Sequence, residues 1–196
     1  MSILSDRQIA ELAENFGMIS PFVPRQVRMI PEDPEIGMRQ TKILSYGLSS
    51  YGYDVRLAPR FKLFTNINSA EVDPLKIDDR CFVDVEGPSV LIPPNSYLLG
   101  HTAETFDIPK DILVLCVGKS TYARAGCIIN VTPIEPGFQG QVVIEISNAT
   151  PLPVRVHADQ GIAQFLFFQG TEPCSISYAD RGGKYQGQSG IQLSKG

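Results

Sequence analysis

The segment Gln141-Val142-Val143-Ile144-Glu145-Ile146-Ser147 decides the fold class. Val142, Ile144 and Ile146 fall on one face and Gln141, Val143, Glu145 and Ser147 on the other, which is the two-residue period of a strand. Short Val- and Ile-rich runs recur outward from it, at 55–57, 61–64, 89–92, 96–100, 112–117, 127–131, 153–157 and 162–168. Turns such as Pro93-Pro94-Asn95 and Glu135-Pro136-Gly137 separate them. Helical stretches do not alternate with these runs, which argues against a parallel α/β sheet. The expectation is a mostly β, single-domain chain over 1–196, an antiparallel β-barrel or double-sheet roll with one N-terminal helix.

That helix is announced by Ser5 at its cap, Gln8 at the capping-box position, an apolar face of Ile9, Leu12, Ala13 and Phe16, and Gly17 as the stop. Residues 18–39 are broken by Pro21, Pro24, Pro31 and Pro34 and read as irregular surface wrapping. Residues 180–196 carry five glycines without apolar periodicity and read as a mobile tail unless a ligand orders it.

The chain has 196 residues, 43% hydrophobic, enough for one core. Its 17 Lys and Arg against 21 Asp and Glu give a charge of -4, without the basic excess of a nucleic-acid binder. No apolar run approaches the roughly 20 residues of a membrane span, and the first residues lack a secretory pattern, so a cytoplasmic protein is expected. Cys81, Cys116, Cys127 and Cys174 form no C-x-x-C pair and the only histidines are His101 and His157. This pattern does not suit a zinc site and suggests reduced thiols.

Three stretches carry candidate chemistry. In Gly118-Lys119-Ser120-Thr121-Tyr122-Ala123-Arg124-Ala125-Gly126 two glycines bracket one helical turn, with Ser120 placed to cap it or bond a ligand and Arg124 on the same side. A capped surface turn has the same appearance, and the P-loop spacing is missing. Glu145 has aliphatic neighbours that would desolvate it and tune it toward acid–base work near neutral pH; a glutamate on a solvated sheet face is the alternative. Asp54, in Tyr51-Gly52-Tyr53-Asp54-Val55-Arg56, suits a structural ion pair with Arg56 or another cation, and equally a binding role. Gln164 suits either a base edge or a buried structural bond.

The order of these motifs resembles the deoxycytidine triphosphate (dCTP) deaminase family, which shares its fold with the trimeric dUTP pyrophosphatases. The matching stretches are 50–56, 118–124, 133–140 running into Val143-Ile144-Glu145, 161–164, and the tail Asp180-Arg181-Gly182-Gly183-Lys184-Tyr185-Gln186-Gly187-Gln188. The resemblance implies hydrolytic deamination of dCTP to dUTP and ammonia, with Glu145 as general acid and base. It implies that Ser120 and Arg124 hold water, base and phosphate. Lys119, Thr121, Tyr122 and Ala123 complete the phosphate and sugar segment, Val143 and Ile144 line the nucleotide, and Gln164, Tyr178, Lys184 and Gln188 make further contacts. It also implies a homotrimer with sites between subunits, magnesium carried by the triphosphate, no zinc, and dTTP as a candidate inhibitor.

Two positions depart from the family pattern. Asn130-Val131-Thr132-Pro133 stands where many members have His-Val-Thr-Ala, and Glu135 stands where the pyrophosphatases carry Asp. The longer Glu135 side chain displaces a water that Asp would hold, so a monofunctional deaminase is expected. The alternatives are a dUTP pyrophosphatase, a bifunctional enzyme, or a non-catalytic nucleotide-binding regulator.

Overall fold

The computed structural model describes residues 2–32 and 40–195. One sheet centres on β14 (Gly161–Gln169). Residues 163–169 pair on one side with β10 (Ile112–Gly118). The other side of β14 takes β5 (Gly52–Arg56) and, end to end with it, β1 (Ser2–Ile3). The sheet continues through β4 (Gln40–Ser49) to β3 (Val27–Pro31). The second sheet runs β11 (Cys127–Asn130), β12 (Gln139–Asn148), β9 (Tyr97–Asp107), β6 (Arg60–Phe64) and β7 (Phe82–Glu86), and β2 (Ile19–Ser20) extends β9. β8 (Ser89–Ile92) and β13 (Val154–His157), distant in the chain, pair antiparallel as a separate two-stranded ribbon. All strand pairings are antiparallel, and among the described residues neither sheet closes on itself. The outcome is the double-sheet roll, sandwich-like, rather than the barrel.

The alternation in β12 is realised: Val142, Ile144 and Ile146 are buried between the sheets while Gln141, Val143, Glu145 and Ser147 are only half-buried. The opposing sheet supplies Val55, Val114, Phe165 and Phe167, and the Phe106 and Phe165 rings meet at 5.1 Å. Burying each such side chain contributes about 1.5–3 kcal/mol.

Helix α1 (Asp6–Phe16) starts and stops where its caps place it. The Ser5 N–H donates to Gln8 Oε1 at 3.1 Å, and Gly17 closes the helix at φ 71°. Ile9 and Ala13 enter the core; Phe16, in the last turn, is 68% exposed and leaves the face assigned to it. The proline-rich stretch is more regular than expected. It contributes β2 and β3, because Pro21 follows the end of β2, Pro24 lies between the strands and Pro31 ends the edge strand β3, where no ladder donor is needed. The part of that expectation on 33–39 lies outside the described residues. All four cysteines are free thiols, Cys81 and Cys127 buried and the other two half-buried.

Two features of the second sheet prepare the site. Register shifts between Gln141 and Val143, and Thr102 Oγ1 accepts the displaced Val142 N–H at 3.0 Å; such a bulge re-aims the residues beyond it. Gly140, at φ 134°, has its missing Cβ position 2.6 Å from the Gln188 carbonyl oxygen, so only glycine lets the tail lie against β12.

Candidate active site

Glu145 stands in a cross-strand row read from the register as Asp84, Lys62, Leu99, Glu145 and Asn130. The cation of the row is committed elsewhere, since Lys62 Nζ lies 3.0 Å from both Asp79 and Asp84. The neighbour on β9 is the apolar Leu99, 8% exposed. Burial therefore acts on Glu145 with no opposing cation and pushes its carboxyl up to about 7, only its own backbone pulling the other way. The Cys116 thiol, within electrostatic reach, is pushed up to about 12 by burial and then by the Glu145 charge.

Glu145 opens into a cleft of about 560 Å³. Leu99, Phe82, Tyr97 and Ile77 form its apolar wall, and Val131, Thr132 and Pro133 its rim. Tyr178, Tyr185, Gln188 and Gln192 from the tail form its roof. Glu135 also lines it, but its carboxylate is ion-paired with Arg181. No lysine, arginine or histidine is among the lining residues.

The tail is tied to β12 by backbone and carboxamide bonds. Gln141 N–H donates to the Gln188 carbonyl at 2.9 Å, Gln188 Nε2 to the Gln141 carbonyl at 2.5 Å, and Gly190 N–H to Gln141 Oε1 at 2.7 Å. Ile191 and Leu193 pack on the cluster of Cys81, Phe82 and Leu99, an apolar anchorage that the glycine-rich composition concealed. Tyr178 meets Phe138 edge-on at 5.9 Å, and its hydroxyl accepts the Tyr185 N–H at 3.0 Å.

The residues singled out in the sequence thus divide. Val143, Glu145, Tyr178 and Gln188 share the cleft. Ile144 does not: its side chain is fully buried in the core, so any contact it makes there is through its backbone. Lys184 is exposed and is not among the lining residues. The 118–126 segment is not there either. It forms α2 (Ser120–Arg124) with Lys119, not Ser120, at the cap. Ser120, Thr121, Ala123 and Arg124 are exposed, whereas Tyr122 is buried, its hydroxyl accepting the His157 N–H at 3.4 Å. Lys119 Nζ bonds to Ser45 Oγ at 3.2 Å and pairs with Asp54, which answers whether Arg56 is the partner of Asp54. Gln164 Nε2 donates to Ser49 Oγ at 2.9 Å on the same sheet.

Sequence reasoning missed the apolar wall and Gln192. Phe82 comes from β7 and Tyr97 and Leu99 from β9, a convergence of two strands that carries no local signal, and Gln192 lies beyond the tail motif. Among the described residues no three His, Cys, Asp or Glu groups are placed together to hold a metal, and no helix is long and apolar enough to cross a membrane.

Comparison with known proteins gives this arrangement a family. A family model described as dCTP deaminase-like matches residues 3–170. The dCTP deaminase of Halorhodospira halophila is 56% identical, and that of Azotobacter vinelandii 55%, each alignment covering all of both chains. Among solved structures, the 2'-deoxycytidine 5'-triphosphate deaminase from Agrobacterium tumefaciens superposes with a TM-score of 0.59 over 86% of this chain at 16% identity. The chain spans 48% of that protein, a likeness of fold alone. Identity above one half along the full length carries further than shared architecture: the chain belongs to the dCTP deaminase family.

Proposed function

We propose that the protein hydrolyses dCTP to dUTP and ammonia, supplying dUTP for thymidylate synthesis, with Glu145 carrying the protons and no zinc involved. The observation that carries this is a carboxyl held near 7, facing a nucleoside-sized cleft without a cationic partner. Such a group both accepts and returns a proton near neutral pH. Ionised Glu145 takes a proton from water as its oxygen bonds to C4, and N3 of the ring is protonated. A proton then passes to the exocyclic nitrogen, the C4–N bond breaks, and ammonia leaves as the C4 carbonyl forms.

The cleft offers no positive side chain to a triphosphate, so the phosphates need cations from outside it. Ser120 and Arg124 lie exposed beside the exposed apolar side chains of Leu115, Val117 and Ile128. That combination supports a homotrimer in which one chain brings Glu145 and the next brings Lys119, Ser120 and Arg124. Magnesium belongs to the triphosphate substrate, and dTTP, which shares sugar and phosphates, is a competitor for the same site. The tail closes over the bound nucleotide and excludes bulk water. Pairing of Glu135 with Arg181 favours deamination without pyrophosphate release, because that carboxylate is engaged in holding the tail.

The assay offers dCTP and dUTP separately. Ammonia from dCTP with no pyrophosphate from dUTP is expected; pyrophosphate from dUTP establishes the alternative activity. Coexpressing Arg124→Ala with Glu145→Gln regenerates roughly a quarter of the sites if each is shared between two chains, and none if each lies within one.

A further inference from the structure

We infer that Gln192 is a specificity-determining residue that accepts a hydrogen bond from a donor group on the nucleoside. The inference rests on the nucleotide reading of this cleft and adds a residue to it. Two carboxamide oxygens, Gln188 Oε1 and Gln192 Oε1, are buried with no hydrogen-bond donor from the protein. Both residues line the Glu145 cleft and both belong to the tail. Gln188 is 6% exposed, and its amide nitrogen is already used on the Gln141 carbonyl, which leaves its oxygen as the free end. Gln192 lies between Ile191 and Leu193, which pack on the Cys81–Phe82–Leu99 cluster, so its position is set by two anchored neighbours.

A buried acceptor without a donor is unfavourable, and a ligand that supplies the donor recovers that loss. Phosphate oxygens are acceptors and do not answer it. With the unpaired Glu145 carboxyl and two amide oxygens on a lining without a cation, the cleft suits the end of a nucleotide that carries N–H and O–H groups. A cytosine deoxynucleotide has two such groups away from the phosphates, the 4-amino group and the 3'-hydroxyl. Each gives the same chemistry at Gln192, and ligands lacking one or the other separate them.

The test uses the full-length Glu145→Gln protein, which holds dCTP without turning it over, with and without Gln192→Met, a change that keeps side-chain length and removes the acceptor. Calorimetry compares dCTP, dUTP and 2',3'-dideoxycytidine triphosphate, each with magnesium. Gln192→Met is expected to weaken dCTP about tenfold, the loss of one hydrogen bond into a desolvated site. If the donor is the 4-amino group, dideoxycytidine triphosphate weakens equally and dUTP is unaffected. If it is the 3'-hydroxyl, dUTP weakens and dideoxycytidine triphosphate is unaffected. Equal weakening of all three means that the substitution has only loosened the tail, and overturns the inference, as does no change in any. A Glu145→Gln parent that binds none of the three overturns the nucleotide reading itself, whereas a binding parent indifferent to Gln192→Met sinks Gln192 alone.

Discussion

Glu104 and Glu145 lie on adjacent strands of one sheet, and burial raises both carboxyls, yet only one of them has a counter-charge. Glu104 on β9 is fully buried and accepts from Arg56 N–H at 3.0 Å and from Arg56 Nε at 2.8 Å. Burial pushes its carboxyl up, and the guanidinium offsets only part of that rise. Glu145 on β12 meets Leu99 instead, while the nearest cation of its row, Lys62, serves Asp79 and Asp84. Desolvation is common to both; the partner decides. A compensated buried carboxylate links the two sheets, and an uncompensated one facing a cleft is equipped for proton transfer.

Glu104→Ala leaves the Arg56 guanidinium, whose side chain is only 19% exposed, without its counter-charge. A loss of about 3–5 kcal/mol in unfolding free energy is expected from denaturant titration. A loss under about 1 kcal/mol makes the pair incidental to the fold.

Glu145→Gln gives the converse result. Turnover falls at least about a hundredfold, near 2.7 kcal/mol of barrier, while dCTP affinity changes little. Near-normal ammonia release removes Glu145 from the mechanism. Stability moves the other way, and its sign follows from the raised carboxyl. Between its ordinary value of 4.5 and about 7 the folded protein holds a proton that the unfolded chain has lost, so this group's stabilising contribution is complete at low pH and is lost as pH rises through that window. At pH 8 the ionised side chain costs up to about 3 kcal/mol, which glutamine does not incur. The variant should therefore be more stable than the parent at pH 8 and indistinguishable from it near pH 4. Lower stability at pH 8 would reveal a counter-charge on Glu145.

How far the sequence announced these features depends on whether the cause is local. The β12 alternation, the α1 caps and the single turn at 120–124 are written in adjacent residues, and all form. β4 and β7 were not anticipated: Gln40–Ser49 mixes polar and apolar residues along a strand only half-buried, and β7 is largely exposed. Desolvation of Glu145 was legible from its aliphatic flanks. The absence of a cation was not, because it depends on Lys62 being drawn to Asp79 and Asp84 on other elements. Tail anchorage was hidden for the same reason: Ile191 and Leu193 are two isolated apolar residues until Cys81, Phe82 and Leu99 are brought beneath them. Ser120 and Arg124 stand on the exposed α2 turn between β10 and β11, outside the cleft that Glu145 of β12 lines, a division within one chain that no motif spacing encodes.

A second ion pair, Glu135 with Arg181, sharpens the contrast at the smallest scale. Both partners are nearly half exposed, at 42% and 46%, unlike Glu104 and Arg56. Exposed pairs contribute under about 1 kcal/mol and are screened by salt. Here the pair joins the loop after β11 to the start of the tail, and the guanidinium also lies over the Tyr178 ring at 5.5 Å. Breaking it should shift the tail's closing equilibrium without disturbing the sheet or the proton chemistry. Arg181→Ala is therefore expected to raise KM for dCTP two- to fivefold with kcat nearly unchanged, about 0.4–1 kcal/mol. The ratio of variant to parent KM should shrink toward one as ionic strength rises from about 0.05 to 0.5 M, because salt removes from the parent what the substitution removed from the variant. A ratio indifferent to salt would assign the effect to stacking on Tyr178 and leave Glu135 without a part in closure. A hundredfold fall in kcat would place Arg181 at the reacting atoms rather than at the latch.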